Sequence, residues 1–161
     1  MIQLDRATEG DLPFIMATER LPGYESLVGR WEEEKHRAAM ADGRHAYFVG
    51  RRGGIPIGFL IIRDWNSPER VSLLKRIAVA EPGQGNGKEL LRAALDAVFE
   101  QTNAHRLWIG VFPENQRARR AYKAVGFVAE GIARGSAFFG GAHRDELTLA
   151  ILRPEWAGRR G

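Results

Sequence analysis

Three glycines alternate with small or polar neighbours in Glu81-Pro82-Gly83-Gln84-Gly85-Asn86-Gly87-Lys88-Glu89, between the apolar Ile77-Ala78-Val79 and Leu90-Leu91. No large side chain shields this backbone, so its N–H groups can turn toward one point and let an anion approach closely. A helix starting near Gly87 aims its first unpaired N–H groups and the positive end of its dipole at the same point. Phosphate suits that arrangement; a strand-to-helix turn without a ligand is the plainer alternative. Two well-known phosphate signatures do not fit. A P-loop needs glycine where Pro82 stands and Ser or Thr where Glu89 stands, and a Rossmann turn needs G-x-G-x-x-G rather than the G-x-G-x-G found here.

Other side chains could do chemistry. Tyr122 lies on an apolar stripe with Ala118, Ala121 and Val125, where period alone favours a core tyrosine. Arg117, Arg119, Arg120 and Lys123 fall on the other faces of that helix and read as solvated charge. Asp64 and Glu69 flank a loop before a strand. His143 and Asp145 lie near a closing turn but are too few for a metal centre, and no metal is expected.

Composition narrows the classes. The chain has 161 residues, 44% hydrophobic content and no cysteine, which suits one domain without disulfides, thiolate metal ligands or a cysteine nucleophile. The first twenty residues carry Asp5, Arg6, Glu9, Asp11 and Glu19, against a signal peptide or membrane helix, and a cytoplasmic location is expected. The net charge of +4 suits a polyanionic small ligand. Nucleic acid is disfavoured because no basic run interleaves with aromatics.

The elements that must position these residues follow in order. A strand is expected over Ile2–Arg6, then a helix to about Arg20 opened by a Thr8/Asp11 capping box. Leu21-Pro22-Gly23 breaks it, and a second helix is expected over Tyr24–Ala41. A hairpin joins His45–Arg51 to Ile57–Arg63 through Arg52-Gly53-Gly54. Strand Val71–Val79 leads into the glycine loop and a helix with Leu90, Leu91, Ala94, Leu95 and Val98 on one face. Strand Arg106–Phe112 precedes the Tyr122 helix, which Gly126 stops. Two strands, Phe127–Ala133 and Glu146–Leu152, close the chain around Gly140-Gly141, and the tail 158–161 is expected to fray.

The order of elements and two motifs resemble the GCN5-related N-acetyltransferase (GNAT) family over essentially the whole length. One motif is the strand–glycine loop–helix from Arg76 to Leu91. The other is Asn115-x-x-Ala118-x-x-x-Tyr122-x-x-x-Gly126-Phe127, a spaced signature that seldom arises by chance. The resemblance implies one α/β (α+β) domain spanning 1–161. Its central sheet would be mixed, mostly antiparallel and twisted, with about six to seven strands and about four flanking helices.

It also implies acetyl-coenzyme A as cosubstrate and an amine as acceptor. The backbone from Gln84 through Gly85, Asn86, Gly87 and Lys88 to Glu89 would hold the pyrophosphate. Ile77, Ala78 and Val79 would pair with the pantetheine arm where their strand splays from the next. Asn115, with Ala118 beside it, would meet the arm, and Tyr122 would protonate the departing sulfur. One or two basic residues of the Tyr122 helix could meet the 3′-phosphate. Tyr24, Glu25 and Trp31 fall where the family walls its acceptor pocket.

Elementary chemistry agrees. The oxyanion formed by amine attack needs a fixed donor such as the N–H of Val79. A phenol near pKa 10 can protonate a thiolate near 8.5, and an amine near 10 must first lose a proton. Two departures matter. Pro82 stands where Arg or Gln usually opens the family's loop, which is one residue shorter here, and Gln84 is the substitute contact. Gly110 stands where several members carry a carboxylate base, leaving Asp64 and Glu69 as candidates. A non-catalytic acyl-coenzyme A binder and a nucleic-acid module remain the alternatives, and a homodimer is open to the chain.

Overall fold

Gly53 and Gly54, at φ 60° and 83°, make the tight turn that reverses β2 (His45–Arg52) into β3 (Ile55–Arg63). Positive φ at both central residues matches a turn to the right-handed twist of its strands. The computed structural model describes residues 1–25 and 27–160. β1 (Gln3–Arg6) pairs antiparallel with β2, and β3 pairs antiparallel with β4 (Val71–Val79). β5 (Arg106–Val111) runs parallel to β4, and β6 (Val128–Phe139) and β7 (Ala142–Leu152) complete a seven-stranded sheet of order β1-β2-β3-β4-β5-β7-β6. The expected mixed, mostly antiparallel sheet is the one found.

Side chains alternate across each strand. One face carries Leu60, Ile62, Leu74, Leu107, Ile109, Val111, Leu147, Leu149 and Ile151 into the main core. α3 (Asn86–Gln101) and α4 (Gln116–Val125) cover this face. The five residues expected on one side of α3, Leu90, Leu91, Ala94, Leu95 and Val98, are all buried there. Each large one contributes about 1.5–3 kcal/mol. The other face carries Tyr47, Val49, Phe59, Ile61 and Ala78 against α1 (Leu12–Glu19) and α2 (Glu33–Ala41). At the start of α1 the Asp11 carboxylate accepts the Thr8 N–H at 2.9 Å, as its capping spacing implied.

Three expectations fail. The helix expected over Tyr24–Ala41 begins only at Glu33. Gly29 explains part of this: a Cβ there would lie 2.6 Å from an Arg76 guanidinium nitrogen, so the segment is a loop shaped around that arginine. Its apolar residues Tyr24, Val28 and Trp31 pack on the second core cluster, with a single turn closed by Val28 N–H on Tyr24 O at 2.9 Å. The tail expected to fray is instead α5 (Arg153–Arg160), and Gly161 lies outside the described residues. α5 is fastened by the Arg153 guanidinium, which donates to the carbonyls of Phe99, Thr102 and Ala104 at 2.7, 2.9 and 2.9 Å. Trp156 adds a 2.9 Å hydrogen bond to Asp96. The closing hairpin is also longer than its apolar core suggested, because β6 and β7 continue past the buried rungs to the Gly140-Gly141 turn.

Candidate active site

β4 and β5 share only three rungs, Val71–Arg106, Ser72–Leu107 and Leu73–Trp108. Beyond them β4 stays with β3 while β5 stays with β7, so a gap opens between the two strands. At the bulge opposite Ile61 and Ile62, Lys75 is the extra residue of β4. The ladder then fixes which backbone groups face the gap. The Ala80 N–H donates to Ile57 O at 2.9 Å, so Ala80 and Ala78 are bonded toward β3. By antiparallel alternation the N–H and C=O of Ile77 and Val79 point the other way, into the gap. The Tyr24 hydroxyl reaches over from its loop and donates to Val79 O at 2.9 Å.

The glycine loop lies at the mouth of this gap. Gly83 and Gly85 have φ of 87° and 80°, and Gly85 is the N-cap of α3. A Cβ at Gly83, Gly85 or Gly87 would meet nothing within 4 Å, so the loop is open on the side a ligand would use. The first-turn N–H groups of α3, from Asn86 to Lys88, have no intrahelical acceptor. Two side chains of the turn are committed elsewhere. Arg52, at the end of β2, donates to the Asn86 side-chain oxygen at 2.9 Å and pairs with the Glu89 carboxylate. Arg52 therefore braces the loop from the neighbouring hairpin, a role no sequence spacing announced.

α4 presents the second motif. The Asn115 side-chain oxygen accepts from the Ala118 N–H at 3.2 Å and caps the helix, leaving its amide N–H groups to donate. Gly126 ends the helix at φ 117° and lets Phe127 turn back, its ring 5.6 Å from that of Tyr122. Tyr122 is 6% exposed, burial raises its phenol above the ordinary value, and its hydroxyl makes no hydrogen bond to the described residues. It is thus both a core tyrosine and a neutral phenol on the helical face of the sheet.

The opposite face is charged. Glu19, fully buried, accepts from Arg76 at 2.6 Å and from His36 Nε2 at 2.8 Å. A carboxylate only accepts, so in the neutral ring Nδ1 accepts a hydrogen bond from the Tyr47 hydroxyl, at 2.7 Å. The Arg76 guanidinium and the Lys35 ammonium each lie 4.7 Å from the Trp31 ring centroid. Beside them Lys75 has its pKa lowered, first by desolvation and then by Arg76 and Arg63, with Glu146 acting against the shift. Tyr24 and Trp31 pack on this same face of the sheet, while Glu25 is exposed and accepts the Gly23 N–H.

The two candidate carboxylates, Glu69 and Asp64, lie away from the gap. Glu69 is exposed on the turn before β4, and the three paired rungs separate it from the gap. Asp64 is held by Arg44 at 2.6 Å, a hydrogen bond that lowers its pKa. The carboxylate that does stand at the gap is Glu146 on β7. A Cβ on Gly110 would lie 2.7, 3.0 and 3.4 Å from Oε2, Cδ and Oε1 of Glu146. Among the described residues no three His, Cys, Asp or Glu side chains gather as a metal site, and no helix is long and apolar enough to cross a membrane.

Comparison with known proteins accords with this geometry. Residues 14–127 match the model of the acetyltransferase (GNAT) family, and the chain belongs to that family. The probable N-acetyltransferase YjcK of Bacillus subtilis is 37% identical over 76 residues, covering 47% of this chain and 42% of that protein. A spermidine N(1)-acetyltransferase of Vibrio cholerae is 32% identical over 83 residues, covering 52% and 48%. The chain thus spans about half the length of these curated relatives. Among solved structures, spermidine N-acetyltransferase of Vibrio cholerae in complex with CoA and spermine superposes with a TM-score of 0.84 at 26% identity, covering 97% of this chain and 98% of that one.

Proposed function

We propose that this chain transfers the acetyl group of acetyl-coenzyme A to the nitrogen of an acceptor amine, by direct attack on the thioester. The observation that carries the reading is the gap between β4 and β5 with the glycine loop at its mouth. A polar strand-like arm would find the gap-facing N–H groups of Ile77 and Val79 along one side of the gap, and its pyrophosphate would meet the N–H groups from Gln84 to Lys88. Asn115 and Ala118 stand at the start of α4, where the arm would end, and Tyr122 supplies the proton for the departing sulfur. The oxyanion would be met by a gap-facing N–H, that of Val79 or the deeper Ile77.

The Vibrio cholerae relative is named a spermidine N(1)-acetyltransferase, yet the acceptor face here carries Lys35 and Lys75 besides Arg76 and Arg63, which pair with Glu19 and Asp64, and Glu146 opposes the surplus. That charge disfavours a polycation. An amine that also bears a carboxylate or phosphate is the better acceptor class. Thiol release from acetyl-coenzyme A should be measured across spermidine, amino acids, peptide N-termini and amino sugars. Release with an anionic amine ahead of spermidine supports the reading. Binding of coenzyme A with no release on any amine would leave a non-catalytic acyl-coenzyme A binder instead.

A further inference from the structure

An amine of ordinary basicity, pKa about 10, reaches the site as an ammonium ion near neutral pH and cannot attack until it loses a proton. We propose that Glu146 is the catalytic base that takes this proton, an inference resting on the acetyl-transfer reading above.

Register and packing place the carboxylate. β5 and β7 pair as Gly110–Thr148 and Val111–Leu147. Leu147 and Leu149 point into the main core, so Glu146 points to the opposite face, with Lys75 and Arg76. The three atoms nearest a Cβ on Gly110 all belong to the Glu146 carboxylate, the closest at 2.7 Å. The carboxylate therefore lies over the bare backbone of Gly110, two residues past the last β4–β5 rung at Trp108, where the gap begins to open. Any side chain at 110 would need the space it occupies, so glycine there admits an acid from the neighbouring strand.

The group is held and still available. The Ser136 hydroxyl donates to Oε1 at 2.9 Å, while Oε2 makes no hydrogen bond to the described residues. The Lys75 ammonium acts on it electrostatically from β4. Arg134 lies in the facing bulge of β6, and on its own strand Arg144 pairs with Glu114 while Asp145 accepts the Gly135 N–H. Tyr122 belongs to the core on the helical face of the sheet, and the Glu146 carboxylate lies on the other face, over Gly110.

The step balances. Glu146 takes one proton from the ammonium, and the nitrogen lone pair forms the C–N bond. The C–S bond breaks, the sulfur takes the Tyr122 proton, and the nitrogen's second proton restores the phenol directly or through water. Glu146 then releases its proton to solvent, giving one amide, one thiol and one proton.

The test is the pH dependence of acceptor kcat/KM for native protein, Glu146→Gln and Glu146→Asp. Glu146→Gln keeps the shape and the Ser136 hydrogen bond. Its activity at pH 7 should fall about 10²-fold or more, and the deficit should shrink toward pH 10, where the ammonium loses its proton to solvent unaided. Acetyl-coenzyme A affinity should stay put, and Glu146→Asp should retain more activity than the glutamine variant. A Glu146→Gln enzyme with the native rate and profile overturns the assignment, as does a loss equal at every pH. Native protein that releases no thiol with any amine would instead overturn the acetyl-transfer reading itself.

Discussion

The Tyr24 hydroxyl donates to the carbonyl of Val79 at 2.9 Å, tying the loop after α1 to the mouth of the gap in β4. A carbonyl has two lone pairs, so this contact leaves one for a ligand in the gap. Tyr24→Phe should cost about 1 kcal/mol of stability, read as a lower denaturant midpoint. The acceptor KM should rise while coenzyme A affinity holds. Coenzyme A affinity that collapses in the variant would mean the hydroxyl serves the cofactor directly.

Gly87→Asp probes the phosphate site with little structural side effect, since a Cβ there meets nothing within 4 Å and Gly87 is not at positive φ. A carboxylate beside the pyrophosphate should weaken coenzyme A at least tenfold, about 1.4 kcal/mol or more by calorimetry. Gly85→Asp should be worse, because φ 80° adds backbone strain. Gln84→Ala should be mild, because the contacts are with backbone. Unchanged affinity in both aspartate variants would remove the phosphate from this loop.

Tyr122→Phe keeps the ring against Phe127 and removes a hydroxyl with no hydrogen-bond partner among the described residues, so stability should hold. Turnover should drop about 10²-fold if the phenol protonates the sulfur. Burial raises this phenol's pKa above the usual value of about 10, so the neutral acid persists as pH rises. Native kcat should therefore show no descending limb from Tyr122 up to pH 10. Full turnover in the phenylalanine variant would leave Tyr122 as a packing residue alone.

Glu19 is the hub on which the charged face rests. Glu19→Ala would strand Arg76 and His36 in a buried site, and removing one partner of such a network costs about 3–5 kcal/mol. Thermal melting should show the loss. A near-native melting temperature would mean that water replaces the carboxylate.

Much of this was legible in sequence. β4 has the bounds expected of it, because an apolar run between a turn and a glycine loop leaves few alternatives. Gly126 ends α4 where its spacing required. Local signals do not reach distant partners, however. Glu146 is joined to Gly110 only by the antiparallel register of β7, and a glycine gives no hint of what fills its space. Residues 27–31 are helix-compatible, yet at Gly29 the chain is shaped around Arg76 from β4. α5 was missed for the same reason: Arg153 and Trp156 matter through carbonyls and a carboxylate near α3.

The central claim, that the cosubstrate arm lies in the gap as an added strand, is tested most directly by amide exchange with and without coenzyme A. Saturating coenzyme A should slow exchange at Ile77 and Val79, whose N–H groups face the gap, and from Gln84 to Lys88 in the loop. Ala78, already bonded toward β3, should change little. Protection of the loop without Ile77 and Val79, or of neither, would contradict the account.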